Sequence, residues 1–354
     1  MIKGLLKVLP FYLFTFLPIS AQPESVPLEP GQTPDGVVYY LPKTVIRIHL
    51  QIERQSYTPG QFSHYAERYL HLNGIVQQEQ VSQRIVSCEL STVGVRDTAK
   101  CYAVRLKGKA ETAEIRLSDE GTLLAVNDEP LAVSDALSAA DGLRLTSGPV
   151  AQTPSLLSAE ALRAGSTAKM AEITAQQILD LQERRQLLAT GEADEMPQDE
   201  QQLRLMLQQI DRQCAQLMAH FIGTTRRDTT RQVLTLCPEK DIDHAVAFRI
   251  SRRLGLVDKD DLSGIPFYIT LKNLSPADHP QPENKKHTGF YVNVPGMAQL
   301  TISQEDQQLA QFSVSLAQFG FTELRDGDLF RRYVTHLQLH PATGAVLRQQ
   351  VDQE

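Results

Sequence analysis

The residues that most constrain this chain are Ile46, Ile48, Leu50 and Ile52, which alternate with Arg47, His49, Gln51 and Glu53. A period of two puts the four apolar side chains on one face of a strand and the polar four on the other, so another apolar layer has to cover the first face. The same alternation recurs at Arg84–Val93, Cys101–Lys107, Ala113–Leu117 and Thr122–Asn127, separated by Gly and charged turns. Thr58-Pro59-Gly60 stops the first strand, and Phe62, Tyr65, Ala66, Tyr69 and Leu70 follow at helical spacing. Residues 37–150 are therefore expected to form an α+β domain.

After Pro154 the period changes. Leu203, Leu207, Ile210, Cys214, Leu217 and Phe221 recur at intervals of 4, 3, 4, 3 and 4 residues, the seam of an amphipathic helix with Ile210 at its middle. A preceding helix from about Thr167 to Thr190 offers Ala171, Ile178, Leu181 and Leu188 on a matching stripe. Gly191 suits its C-terminus and Pro197 the first turn of its successor, so residues 155–225 are expected to close as an antiparallel helical hairpin with Ile210 buried.

From Thr229 the period of two returns, at Gln232–Cys237, His244–Arg252, Ile265–Leu271, Phe290–Val294, Ala298–Ile302, Phe312–Leu316, Tyr333–Leu339 and Ala345–Gln349. Short strands joined by Gly, Pro and Asp turns predict a sandwich-like β domain over residues 226–354. The expected class is α+β, mainly β.

The N-terminus addresses location rather than fold. Lys3 and Lys7 precede an apolar run from Val8 to Ile19 that ends at Ser20-Ala21, the layout of a secretory signal cleaved near Ala21. The run falls short of the roughly 20 residues a spanning helix needs, and Pro10 and Pro18 interrupt it. A periplasmic or secreted mature chain is expected, with no transmembrane segment. Residues 22–36 carry Pro23, Pro27, Pro30 and Pro34 among polar residues and read as an extended tether. Losing the two lysines takes the formal charge from −7 to −9, and no basic block matches a phosphate backbone, so nucleic acid is an unsuitable partner. Four cysteines, Cys88, Cys101, Cys214 and Cys237, allow three complete pairings that spacing does not distinguish, and none lies in a C-x-x-C motif.

Several motifs suggest chemistry and are better read as structure. Ser166-Thr167-Ala168-Lys169 has the Ser-x-x-Lys pattern of penicillin-interacting enzymes, yet Ser-Asp-Asn and Lys-Thr-Gly are missing and Ser is a favoured helix N-cap. His336 and His340 would share a metal only on a helix; the alternation around them predicts a strand, where four steps span about 13 Å, so both are expected to face solvent. Asp258, Asp260 and Asp261 before Ser263-Gly264 resemble a calcium loop, but the glycine falls one position late and no closing glutamate follows. Asp278, His279 and His287 read as a solvated loop, and Cys214 as a small core residue. No catalytic, cofactor-binding or metal-ligating residue is assigned, and no cofactor is expected.

GVVYYLPKT at Gly36–Thr44, YTPGQF and YAERYL between Tyr57 and Leu70, LLATGEADEMP at Leu187–Pro197, LGLVDKDDLSGIPFYI at Leu254–Ile269, LAQFG at Leu316–Gly320 and HPATGAV at His340–Val346 together resemble a domain-of-unknown-function family of exported proteins from Bacteroides-like bacteria, the family numbered 4831. The resemblance implies an envelope or secreted role and carries over no catalytic residue. The expected function is a non-catalytic binding or assembly protein of the cell envelope, its partner an envelope protein or glycan; the alternative is a hydrolase whose unconventional site forms only in the fold.

Overall fold

The structure is a computed structural model that describes residues 24–27, 36–105, 113–131, 144–145, 157–194, 196–197, 199–275, 289–326, 330 and 334–352. The alternating Ile46–Glu53 segment lies inside a far longer strand, β2 (Val37–Thr58). In the first sheet β2 pairs antiparallel with β3 (Gln80–Arg105) on one side and with β7 (Thr224–Leu236) on the other; β1 (Glu24–Pro27) flanks β3 and β6 (Arg144–Leu145) flanks β7. The second sheet runs β12 (Gln307–Asp326), β11 (Gly289–Gln304), β10 (Ile265–Asn273), β8 (Ile242–Ser251) and β9 (Gly255–Val257). The third runs β14 (Val346–Asp352), β13 (Val334–Leu339), β5 (Leu123–Val126) and β4 (Ile115–Leu117). The molecule is α+β and mainly β.

Several expectations change in the pairing. Arg84–Val93 and Cys101–Lys107 belong, as far as Arg105, to the single strand β3, and Phe290–Val294 and Ala298–Ile302 to the single strand β11. Each apparent break is a register shift, between Tyr40 and Pro42 in β2 against β3 and between Val294 and Gly296 in β11 against β12. A bulge bends a strand without ending its ladder, so local pattern mistakes one bent strand for two. Glu24–Pro27, expected as tether, pairs with Tyr102–Arg105 instead. The sheets also cross the expected boundaries near residues 150 and 226, because β2 pairs with β7 and β5 with β13.

The bends let four long strands serve two cores. Ile46, Ile48, Leu50 and Ile52 pack against Phe248 of β8, Phe267 of β10, Leu300 of β11 and Leu316 of β12, the apolar layer their alternation required. Full burial of such side chains stabilises by about 1.5–3 kcal/mol each. Beyond the bends, Tyr39 and Leu41 of β2 join Phe290 and Val292 of β11 with Leu123, Leu337 and Leu339.

The third core is helical. A 3-10 turn at Ser63–Tyr65 leads into α1 (Ala66–Leu70); α2 (Ala159–Leu162), α3 (Thr167–Thr190) and α4 (Glu200–Ile222) follow. Gly191, at φ 78°, closes α3 in the left-handed region, and Asp199 caps α4. The α3–α4 hairpin buries Ala171, Ala175 and Ile178 against Phe221, Phe62 and Ala66. Leu203, Leu207 and Ile210 are only half-buried, which corrects the expectation of a deep seam. A third layer, α1 and its 3-10 turn, meets the hairpin near Phe221 and α2 packs on α3, whereas farther out, among the described residues, each hairpin helix has one helical neighbour and a wet flank. Among the described residues no helix is long and apolar enough to cross a membrane.

Candidate functional site

Where the two β cores meet, polar groups knot together segments distant in sequence. β7 ends its pairing with β2 at the Leu236–Ile46 register, leaving the Thr44 main chain without a strand on that side. Gln318 of β12 supplies the replacement: its Oε1 accepts from Thr44 N at 2.9 Å, and its Nε2 donates to Thr44 O at 2.8 Å and to Pro238 O at 2.9 Å. A side-chain amide thus mimics a paired strand. The fully buried Thr44 hydroxyl donates to Ala342 O at 2.9 Å and accepts from Ala317 N at 3.0 Å. Asn293 of β11 donates through Nδ2 to Pro42 O at 2.8 Å and to Thr343 O at 3.0 Å, while its Oδ1 accepts from Lys100 Nζ at 3.0 Å. Burial holds the Lys100 ammonium below its ordinary pKa, an effect that the Asp97 carboxylate opposes.

Glycines admit the close approaches. A Cβ on Gly94 would sit 2.1 Å from Pro341 O, and one on Gly320 1.8 Å from Val294 O. Three of the stretches singled out in the sequence, GVVYYLPKT, LAQFG and HPATGAV, therefore meet at this knot.

Thr343 of the knot also lines an open groove of about 420 Å³. Leu90–Thr92 of β3 and Ser313–Ser315 of β12 line two walls, and Ala345, just before β14, and Leu347, near its start, line the third. Consecutive strand residues alternate in side-chain direction, so three in a row bring main chain as well as side chains to the wall. Among the described residues no strand covers the outer side of β12 or β14, and β1 covers only Tyr102–Arg105 of β3. Three strand edges that no described strand covers thus converge here. The lining carries hydroxyls, apolar groups and His340, and among the described residues no Asp, Glu, Lys or Arg. Burial holds the His340 imidazole below its ordinary pKa, and its Nδ1 accepts from Ala342 N at 3.2 Å, so the ring is neutral at pH 7.

The motifs met in the sequence fall elsewhere. Ser166 is the N-cap of α3 and its hydroxyl accepts from Lys169 N at 3.3 Å, whereas Lys169 Nζ reaches Glu172 at 2.8 Å. His336 and His340 are not simply solvent-facing, contrary to expectation. His336 bonds Asn127 O and, at 3.1 Å, Asp352 Oδ2, because β13 lies between β5 and β14 and their ends cover its polar face. In the Asp258–Gly264 turn Arg249 donates to Lys259 O at 2.8 Å and to Gly264 O at 3.1 Å, so a guanidinium already takes two of the loop's carbonyls. Asp261 accepts from Ser263 N at 2.9 Å, which lowers its carboxyl pKa. All four cysteines are free thiols; burial, aided by Glu89, pushes Cys88 up to about 11 and Cys214 is also raised. Among the described residues no three His, Cys, Asp or Glu side chains gather as a metal site. Asp278, His279, His287 and the signal segment lie outside the described residues.

Sequence reasoning missed the groove because edge status depends on long-range pairing. The low charge of Ile85–Val95, where Glu89 alone is ionisable as an acid or base at pH 7, was the available signal. No curated protein and no solved structure gives a significant match to the chain. The family described as Domain of unknown function (DUF4831) matches residues 35–347, which take in the knot and every residue named in the groove. The chain, matched over far more than half its length, belongs to the DUF4831 family.

Proposed function

We propose that this is a non-catalytic binding or assembly protein of the cell envelope, periplasmic or secreted after cleavage near Ala21, that holds an extended segment of a partner polypeptide. The observation that carries the reading is the convergence of the β3, β12 and β14 edges on one uncharged groove. Unpaired N–H and C=O groups on a strand edge accept an added strand, main-chain bonds supplying affinity and flanking pockets selectivity. An uncharged wall favours a segment of neutral side chains, and Leu90, Val314 and Leu347 favour apolar ones among them.

The test is site-specific photo-crosslinking of the full protein in native envelope extract, with the photoreactive group at Ser313 or, as a control, at exposed Leu205 of α4. Protease-sensitive adducts from position 313 alone, reduced in a Leu347→Lys background, are expected. Hydrogen exchange should then show slowed amides in Leu90–Thr92 and Ser313–Ser315. Adducts that resist protease, equal labelling from both positions, or protection confined to other strands overturn the reading.

A further inference from the structure

Leu254 and Leu262 are 71% and 83% exposed, with Ile265 at 43%. Leu254 lies in the turn between β8 and β9, and Leu262 and Ile265 lie at or beside the turn between β9 and β10. Leu254 and Ile265 wall an open cleft of about 550 Å³ that the buried Ile250 also lines. The volume falls within the roughly 300–1,000 Å³ typical of small-molecule sites.

The lip is cationic. Arg252 and Arg253 line the cleft, both are exposed, and neither guanidinium has a hydrogen-bond or ion-pair partner among the described residues. Asp258, Lys259 and Asp260 are exposed in the adjoining turn but do not line the cleft, and Asp261 is engaged by Ser263. The turns are held in place from behind. Gln83 of β3 donates to Arg252 O at 3.0 Å, and Arg249 ties the neighbouring turn by its two carbonyl bonds.

An apolar cleft with two unengaged arginines at its mouth selects a molecule with an apolar body and an anionic end. We propose that it is a binding site for an amphiphilic anion, an unbranched acyl chain bearing a carboxylate or phosphate. The chain lies along Ile250, Leu254 and Ile265, and the head sits between Arg252 and Arg253. This site shares no residue with the strand-edge groove, so either proposal can fail alone.

The experiment uses the full protein with two probes: decanoate below its micelle-forming concentration, followed by calorimetry, and phosphatidylcholine vesicles with or without phosphatidylglycerol, followed by co-sedimentation. Saturable binding of decanoate is expected, weakened about tenfold or more in Arg252→Gln/Arg253→Gln, since each charge-assisted bond lost is worth about a decade. Leu254→Asn should weaken it as well, and decanol should bind less tightly than decanoate. Because these side chains are exposed, both variants should melt as the parent does. Binding of free decanoate assigns a soluble amphiphile; binding of phosphatidylglycerol vesicles alone, with the same dependence on the variants, assigns a lipid headgroup. Binding of neither probe, or binding indifferent to both variants, overturns the proposal.

Discussion

Replacing Thr44 by valine tests the knot with almost no change of shape. The hydroxyl is fully buried and serves two main-chain groups, Ala317 N–H at 3.0 Å and Ala342 C=O at 2.9 Å. Valine fills the same space and leaves both unpartnered. A buried donor or acceptor left unsatisfied costs about 1–3 kcal/mol, so two cost about 2–6 kcal/mol, toward the lower end if the His340–Gly344 turn shifts to admit water. Thr44→Ser keeps the hydroxyl and loses one methyl, a cost of about 1 kcal/mol. Urea unfolding measures the difference: with a slope of about 3 kcal/mol/M, a loss of about 3 kcal/mol lowers the midpoint by about 1 M. A valine variant within about 0.5 kcal/mol of the parent, or a serine variant as damaged as the valine one, would refute the argument that the hydroxyl bonds hold the junction.

Gly320→Ala puts a Cβ 1.8 Å from Val294 O and should destabilise by about 1–3 kcal/mol or more, read as a lowered melting temperature. Ile178→Ala, in the deep part of the hairpin, should cost about 2–5 kcal/mol, while Ile210→Asp should cost far less because its half-exposed site keeps the carboxylate wet; equal losses in chemical denaturation would contradict the thin outer seam. Ser166→Ala should lose about 0.5–2 kcal/mol and Ser166→Asp most of that recover, with no labelling by a serine-reactive phosphonate; stoichiometric labelling at Ser166 would favour a hydrolase. His340 has a folded pKa below its unfolded value near 6.5, so its stabilisation is complete above about 6.5 and is lost as pH falls through the folded pKa. His340→Asn should flatten the stability profile between about pH 7 and 5, and an unaltered slope would exclude this histidine as its source.

The sequence by itself determined what depends on nearest neighbours along the chain. Ile46–Glu53 had to be a strand with one covered face, Ser166 and Gly191 had to bracket a helix, and the return of a two-residue period after Thr229 had to mean more sheet. Tertiary structure decided which strand lies beside which, and with it everything about the candidate site. Nothing local in Glu24–Pro27 distinguishes a tether from a strand on β3; only the Tyr102–Arg105 edge does. Nothing near Gln318 says that its amide will stand in for a strand beside Thr44, 274 positions away. Periodicity reports which face of an element is apolar, because side-chain direction is fixed by the backbone it hangs on. It is silent about sheet edges, since an edge is defined by a partner that is missing in space, and only the folded chain shows which stretches of β3, β12 and β14 no described strand covers.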